Sequence, residues 1–293
     1  MLDFQKFFDK YKLNFTTEEI RREVKHIIDH HYENNDTIAN RKTLFECLEI
    51  TSLKSTDNEE SISELVEKIN KMDEKLAEVP KPAGICVYPS LVETVRSLLT
   101  EELSVSTVIG FPSSQTFTEV KIAETMLAVK AGATEIDMVM PVGKFLMGNY
   151  EEIYDEIQEI KAVCGDDAAL KVIIEAGLLG NYQNVFKASA LVLEAGADFV
   201  KSSTGKECVS DLYSVFAMCE AIKAISEDTG NPKGLKVAGG IKNTQDALMY
   251  MCVAKEVLQE DFINPDTFRI GASSLADNLA GEIVKKDICY FSE

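Results

Sequence analysis

Basic residues are in short supply in this chain. Its 293 residues include 30 Lys and Arg against 49 Asp and Glu, a formal net charge of −19 at pH 7. Binding to nucleic acid or to an anionic membrane rests on Lys and Arg neutralising phosphates, so this balance argues against both. It leaves room for a local basic cluster around one small phosphorylated ligand. Histidine is scarcer: His26, His30 and His31 all lie near the N-terminus. His26 and His30 have i, i+4 spacing, but no further ligand completes a site, and no metal is expected. No C-x-x-C pair occurs among the scattered cysteines Cys47, Cys86, Cys164, Cys208, Cys219, Cys252 and Cys289. An odd, dispersed set reads as reduced thiols in a cytosolic protein rather than as a disulfide framework. No run of 18 apolar residues occurs, and the opening MLDFQKFFDKYKLNF mixes charges with aromatics. Neither a membrane span nor a signal peptide is predicted, and the expected location is the cytoplasm.

Several catalytic signatures are also missing. There is no G-x-S-x-G nucleophile elbow and no G-x-G-x-x-G dinucleotide fingerprint. Thr204-Gly205-Lys206 does not close a P-loop, because Val200 stands where the first glycine is required. No cofactor is called for.

What is present is alternation. Short β-branched runs at Glu46 to Leu53, Gly84 to Tyr88, Ser106 to Phe111, Glu135 to Met140, Leu170 to Ala176, Phe199 to Thr204, Leu235 to Gly240 and Phe268 to Ala272 read as eight strands. Amphipathic stretches between them, such as Glu59 to Glu78, Phe117 to Ala131, Tyr150 to Val163 and Val185 to Glu194, read as helices. Gly132 and Gly196 sit where a left-handed C-cap would end two of these helices. Strict alternation implies parallel strands and right-handed crossovers, which eight units satisfy most simply by closing into an α/β (β/α)8 barrel. An open doubly wound sheet is the competing layout. Residues 1–40 form an N-terminal helical extension with Phe4, Phe7, Phe8 and Tyr11 at helical spacing, and residues 41–293 form the barrel. The extension is expected to cap the barrel floor or to contribute to a subunit contact, a homodimer being the assembly considered.

Charged residues inside apolar strands carry the chemistry. The lead-in AGADFVK to Lys201 echoes AGATEID, so Asp137 takes the place that Lys201 takes in the later unit, and LKV at Lys171 echoes LKV at Lys236. Register alone predicts two layer pairs, Asp137 with Lys201 and Lys171 with Lys236. A buried ammonium is normally paired, neutralised or functional. Desolvation and neighbouring cations, Lys236 and Lys206, are expected to bring Lys201 from its free pKa of ~10.4 to about 7 to 8, making it a nucleophilic amine. Asp137 would offset positive charge and move protons. Three strand ends form an anion cradle: Ser203-Thr204-Gly205-Lys206, Gly239-Gly240, and Gly271-Ala272-Ser273-Ser274. The last two follow the seventh and eighth strands, where barrels commonly bind phosphate. Cys86 is expected in the barrel interior, more as a small core residue than as a reactive group.

On the segments FVKSSTGK, LKVAGG and EIDMVMP, the sequence resembles the deoxyribose-phosphate aldolase family of class I aldolases over roughly Thr43 to Leu275. The resemblance implies reversible Schiff-base cleavage of 2-deoxy-D-ribose 5-phosphate to D-glyceraldehyde 3-phosphate and acetaldehyde, in deoxyribonucleotide catabolism, with no metal. It makes Lys201 the nucleophile, Lys236 its perturbing partner and Asp137 the general acid/base. It places Lys171 in the active site and Thr204, Gly205, Lys206, Gly239, Gly240, Ser273 and Ser274 at the phosphate. Cys86 and Glu49 are also placed at the substrate, Glu49 standing where an aspartate is usual, and Val237 replaces a common proline. The family's tail often ends in a proton-moving tyrosine, whereas Tyr290 here is followed by Phe291-Ser292-Glu293. Two other readings remain open: another class I sugar-phosphate aldolase or transaldolase, and a non-catalytic phosphosugar-binding barrel.

Overall fold

Eight parallel strands close into a barrel in the order in which they occur along the chain. They are β1 (Leu48–Thr51), β2 (Gly84–Val87), β3 (Ser104–Ile109), β4 (Glu135–Val139), β5 (Ala169–Ile173), β6 (Phe199–Lys201), β7 (Gly234–Ala238) and β8 (Phe268–Ala272). The barrel is seen in a computed structural model that describes residues 2–291. Three helices precede the barrel: α1 (Phe4–Lys10), α2 (Thr17–Asn35) and α3 (Ile38–Glu46). The outer layer consists of α4 (Glu59–Asn70), α5 (Met72–Lys75), α6 (Val92–Leu98), α7 (Thr118–Lys130), α8 (Val142–Leu146), α9 (Tyr150–Cys164), α10 (Tyr182–Glu194), α11 (Leu212–Thr229), α12 (Thr244–Leu258) and α13 (Leu275–Val284). The (β/α)8 expectation holds, and no helix among the described residues is long and apolar enough to cross a membrane.

Local chemistry explains most boundaries. Gly132 and Gly196 adopt φ of 100° and 113°, where a Cβ would be strained, and they end α7 and α10 before β4 and β6. Thr16 and Glu19 form a reciprocal capping box that starts α2. The helix expected over Glu59 to Glu78 is instead broken at Lys71. There the Asn70 side chain accepts from Thr100 N and donates to Leu98 O, tying the end of α4 to the chain after α6. Several strands stop short of their sequence limits. β6 ends at Lys201, because Ser202 and the residues after it turn into a loop held by their own hydroxyls.

Side chains of one parity on each strand point outward. Ile50, Ile85, Val105, Ile136, Leu170, Val200, Leu235 and Phe268 are buried in one continuous apolar cluster with helix residues such as Val66, Val95, Ile157 and Val192. Burying each such side chain is worth roughly 1.5–3 kcal/mol, so the stabilising core is the annulus between sheet and helices. The other parity faces inward and is polar: Glu49, Ser106, Glu135, Asp137, Lys171, Lys201, Lys236 and Arg269 are all buried. Phe199 closes the floor. A Cβ on Gly234 would stand 2.3 Å from its ring, so only glycine admits it there.

The N-terminal extension packs along the outer helices. Phe8 packs edge-on against Tyr150 of α9 at 4.8 Å, and Phe15 against Phe216 of α11 at 5.2 Å. Helix α2 lies along α11 and α12. The aromatic stripe is therefore covered by the chain's own outer helices, and position 40, where the extension was expected to end, falls within α3.

Candidate active site

The inward parity places the charged side chains of β1, β4, β5, β6, β7 and β8 in one connected network. Asp137 is its hub. Lys201 Nζ and Lys236 Nζ each donate to Asp137 Oδ2 at 2.6 Å, while Lys171 Nζ stands 3.4 Å from Oδ1. Lys236 also pairs with Glu49. One level down, Lys171 pairs with Glu135 and donates to Ser106 Oγ at 3.2 Å. Ser106 Oγ lies 2.8 Å from Glu49 and 2.6 Å from Glu135, with one hydroxyl proton to give to either carboxylate. Arg269 closes the set, with Nη2 3.0 Å from Glu135 and Nη1 3.3 Å from Glu49.

The expected division into two separate layer pairs is thus corrected. The strand register sets Asp137 beside Lys171 and Lys201 beside Lys236, and the long lysine side chains converge on one carboxylate from neighbouring strands. Gly271 makes room for this, since a Cβ there would stand 3.2 Å from Lys236 Cε.

The electrostatics follow from the contacts. Burial alone would raise the Asp137 carboxyl, but Lys201, Lys236 and Lys171 outweigh it and hold Asp137 well below the usual carboxylate range. Burial likewise opposes ionisation of Glu49, yet Lys171 and Lys236 bring it down to about 2. Burial disfavours the charged form of Lys236, but Asp137 and Glu49 raise it above the ordinary lysine value, so it remains a cation. Four basic groups (Lys171, Lys201, Lys236, Arg269) face three carboxylates (Glu49, Glu135, Asp137), an excess of one positive charge if all are ionised. Loss of one proton from a lysine would balance the network.

Above this network lies a cavity of about 260 Å³ at the C-terminal ends of the strands. Its lining includes Lys201, Thr204, Gly205, Lys206, Gly239, Gly240, Ser273 and Ser274, all expected from sequence. Lys201 is the one member of the charged network in that lining. Lys236, Asp137, Glu49 and Lys171 lie beneath it, wholly buried, and Cys86 lies beside them. Burial pushes the Cys86 thiol up to about 11, so it stays protonated at neutral pH. One ligand atom each from Glu49, Cys86 and Asp137 lie within 4.8 Å of one another, but both carboxylates already hold ammonium groups, and a protonated thiol is a poor metal donor. Gly239 and Gly240 have φ of 90° and 82°, and a Cβ on Gly239 would come within 3.1 Å of the Gly205 backbone. The close approach of these two loops requires glycine there.

Sequence reading missed Arg269 and Glu135 in the network and Lys54 and Lys242 at the rim. Strand parity could have found the first two: Arg269 alternates with Phe268 and Ile270, and Glu135 lies two residues before Asp137. Lys54 and Lys242 line the cavity from loops after β1 and β7, where a lone charge carries no signal. Tyr290 is absent from the cavity. Its hydroxyl donates to Lys68 O at 2.7 Å, near the C-terminal end of α4, and its backbone N donates to Asp277 at 2.9 Å. Because the helices run antiparallel to the strands, that end of α4 is opposite the cavity. Ser292 and Glu293 lie outside the described residues.

Comparison with known proteins agrees with this geometry. A family model described as "DeoC/LacD family aldolase" matches residues 26–274. The deoxyribose-phosphate aldolase of Bos taurus is 36% identical over 254 residues, covering 81% of this chain and 78% of that protein. The Mus musculus protein of the same name is 41% identical over 206 residues, covering 69% of this chain and 64% of its own length. Among solved structures, "QR15, an Aldolase" superposes with a TM-score of 0.67 at 29% identity, over 83% of this chain and 96% of that one.

Proposed function

The chain belongs to the DeoC/LacD family of aldolases, and we propose that it is a Schiff-base aldolase that reversibly cleaves 2-deoxy-D-ribose 5-phosphate to D-glyceraldehyde 3-phosphate and acetaldehyde. The observation that carries this reading is the position of Lys201. It is the only network lysine open to the cavity, in a cluster with one more basic group than acidic groups. Lys236 and Arg269 are held as cations by their carboxylate partners, so they place fixed positive charge around the Lys201 amine without using it.

The neutral Lys201 amine attacks the C1 aldehyde, and the carbinolamine loses water to give an iminium. Asp137, directly or through one water, accepts the C3 hydroxyl proton. The C2–C3 bond breaks, its electron pair moves into the iminium to form an enamine, and the C3 fragment leaves as glyceraldehyde 3-phosphate. Protonation of the enamine at C2 and hydrolysis release acetaldehyde and regenerate the amine. Lys236 and Lys171 keep Asp137 charged, and Glu49 holds Lys236 in place. The substrate phosphate is assigned to the rim, where the Lys54, Lys206 and Lys242 ammonium groups meet the loops at Gly239-Gly240 and Ser273-Ser274. The scattered cysteines, without a C-x-x-C pair, support work in a reducing compartment such as the cytoplasm, and the products suit a role in deoxyribonucleotide catabolism.

The test is borohydride trapping with 2-deoxyribose 5-phosphate or acetaldehyde, followed by digestion and mass analysis. An adduct on the peptide bearing Lys201, absent from Lys201→Leu, is expected. A folded protein that gives no adduct would overturn the lysine mechanism. Cleavage of fructose phosphates in preference to 2-deoxyribose 5-phosphate would overturn the substrate.

A further inference from the structure

Glu175 is a buried carboxylate that the reaction above does not use. It follows β5, is 1% exposed, and adopts the left-handed backbone conformation (φ 49°, ψ 58°) that side chains other than glycine take at a cost. Its Oε1 accepts a hydrogen bond from the Thr204 backbone N–H, in the loop between β6 and α11. Its Oε2 is buried with no hydrogen-bond partner among the described residues. A buried carboxylate held in a left-handed conformation, with the Thr204 amide and the Cys208 thiol of one loop as its polar contacts, needs a reason.

The loop it holds supplies one. Gly205 N donates to Ser203 Oγ at 2.8 Å, and Lys206 N and Glu207 N donate to Thr204 Oγ1 at 3.1 and 3.3 Å. Ser203 Oγ donates onward to Cys208 O at 2.6 Å. Hydroxyls belonging to the loop thus take the amides of Gly205, Lys206 and Glu207, while the Thr204 amide is taken by Glu175, from outside the loop. The hydroxyl-bonded turn fixes the shape of the loop; its two ends are tied to β7 by Ser202 and Ser210, whose hydroxyls reach Ala238 O, and the Glu175 tie holds its middle against the end of β5. Lys206, at the crest of the turn, lines the cavity rim.

We propose that Glu175 is a positioning residue for phosphate recognition: it anchors the β6–α11 loop so that Lys206 faces the cavity, and thereby sets the preference for phosphorylated over unphosphorylated 2-deoxy sugar. This rests on the substrate assigned above. Glu175 touches neither the reacting atoms nor the phosphate, so its loss should act on binding of the phosphate end and leave the bond-breaking step in place.

Steady-state kinetics of the full chain on 2-deoxyribose 5-phosphate and on 2-deoxyribose test this, with Glu175→Gly as the main variant. Glycine relieves the left-handed backbone while removing the carboxylate, which separates the tie from the strain. Loss of a charge-assisted anchor is expected to raise KM for the phosphorylated sugar about tenfold or more, with kcat and the kcat/KM for 2-deoxyribose each within about threefold of wild type. Glu175→Asp keeps the charge and loses one methylene of reach. It should give a smaller selective rise in KM, and it carries the test should the glycine variant fail to fold. Equal losses on both sugars, or no change on either, would overturn the proposal. If the wild-type protein cleaves no 2-deoxyribose 5-phosphate, the substrate assignment fails and this inference with it, an outcome distinct from an active wild type and an unselective variant.

Discussion

Two lysines in this fold are buried equally deeply and serve different ends. Lys121 of α7 lies between helices, wholly buried, with its Nζ 2.8 Å from Glu156 and 2.5 Å from Ser114 Oγ. Lys201 lies in the barrel, 3% exposed, with its Nζ 2.6 Å from Asp137. Each has a carboxylate partner and each interrupts an apolar element. The Lys121 pair is balanced one to one in the helical layer, below its usual pKa because burial outweighs the Glu156 attraction. Lys201 shares its carboxylate with two other lysines in a cluster carrying surplus positive charge, and the cavity it meets lies at the C-terminal ends of the strands, whereas the cavity beside Lys121 lies among Pro141, Lys144 and Met147 outside the barrel. A buried lysine beside a cavity therefore does not by itself mark chemistry; surplus charge at the mouth of the barrel does.

The sharpest way to break this comparison is to remove each lysine. Lys201→Leu should lower cleavage of 2-deoxyribose 5-phosphate by about 10³-fold or more, with the fold retained by circular dichroism, because the covalent step has no substitute. Lys121→Met should leave Glu156 as an uncompensated buried charge and reduce unfolding stability by roughly 3–5 kcal/mol in denaturant titration, while each folded molecule keeps its kcat. If Lys121→Met lost activity without losing stability, the distinction between the two would fail.

Acid should separate the two regions next. Glu49 and Asp137 have folded pKa values depressed below their unfolded values, so the stability they contribute is present above the unfolded value of about 4 and is lost as pH falls through the folded one. For Glu49 that window runs from about 4.5 down to about 2. Thermal unfolding across this range should show a steep loss of Tm, and the slope should be shallower in Glu49→Gln. The smallest effect is expected at the rim. Lys206→Ala removes one of the three rim lysines, Lys54, Lys206 and Lys242, and should raise KM for the phosphorylated substrate about tenfold with little change in kcat.

The same contrast explains what was legible in the sequence. Lys201, Asp137, Lys236 and Lys171 stood out because each is a charge within a β-branched run, and glycine-rich strand ends pointed to the cavity loops. Arg269 and Glu135 obey the same parity but adjoin strand ends, where a charge looks ordinary. Lys121 gave no signal, because a lysine on an amphipathic helix reads as solvent-facing, whereas α7 turns Lys121 and Thr125 inward and leaves Phe117, Val120 and Leu127 exposed. Lys54 and Lys242 come from separate loops, and Tyr290, whose role the tail sequence left open, sits at the end opposite the cavity.

The sequence by itself determined eight parallel strands alternating with helices and favoured a closed barrel over an open sheet, a choice the strand pairing then decided. It also determined which strands carry charge, because an apolar run interrupted by Lys or Asp is a local fact. Only the tertiary structure decided that these charges share one hub and that Lys201 alone meets the cavity. The reason is physical: strand pairing brings together residues as far apart as Glu49 and Arg269, and whether a buried ammonium is a strut or a nucleophile depends on the sum of charges around it and on its access to solvent.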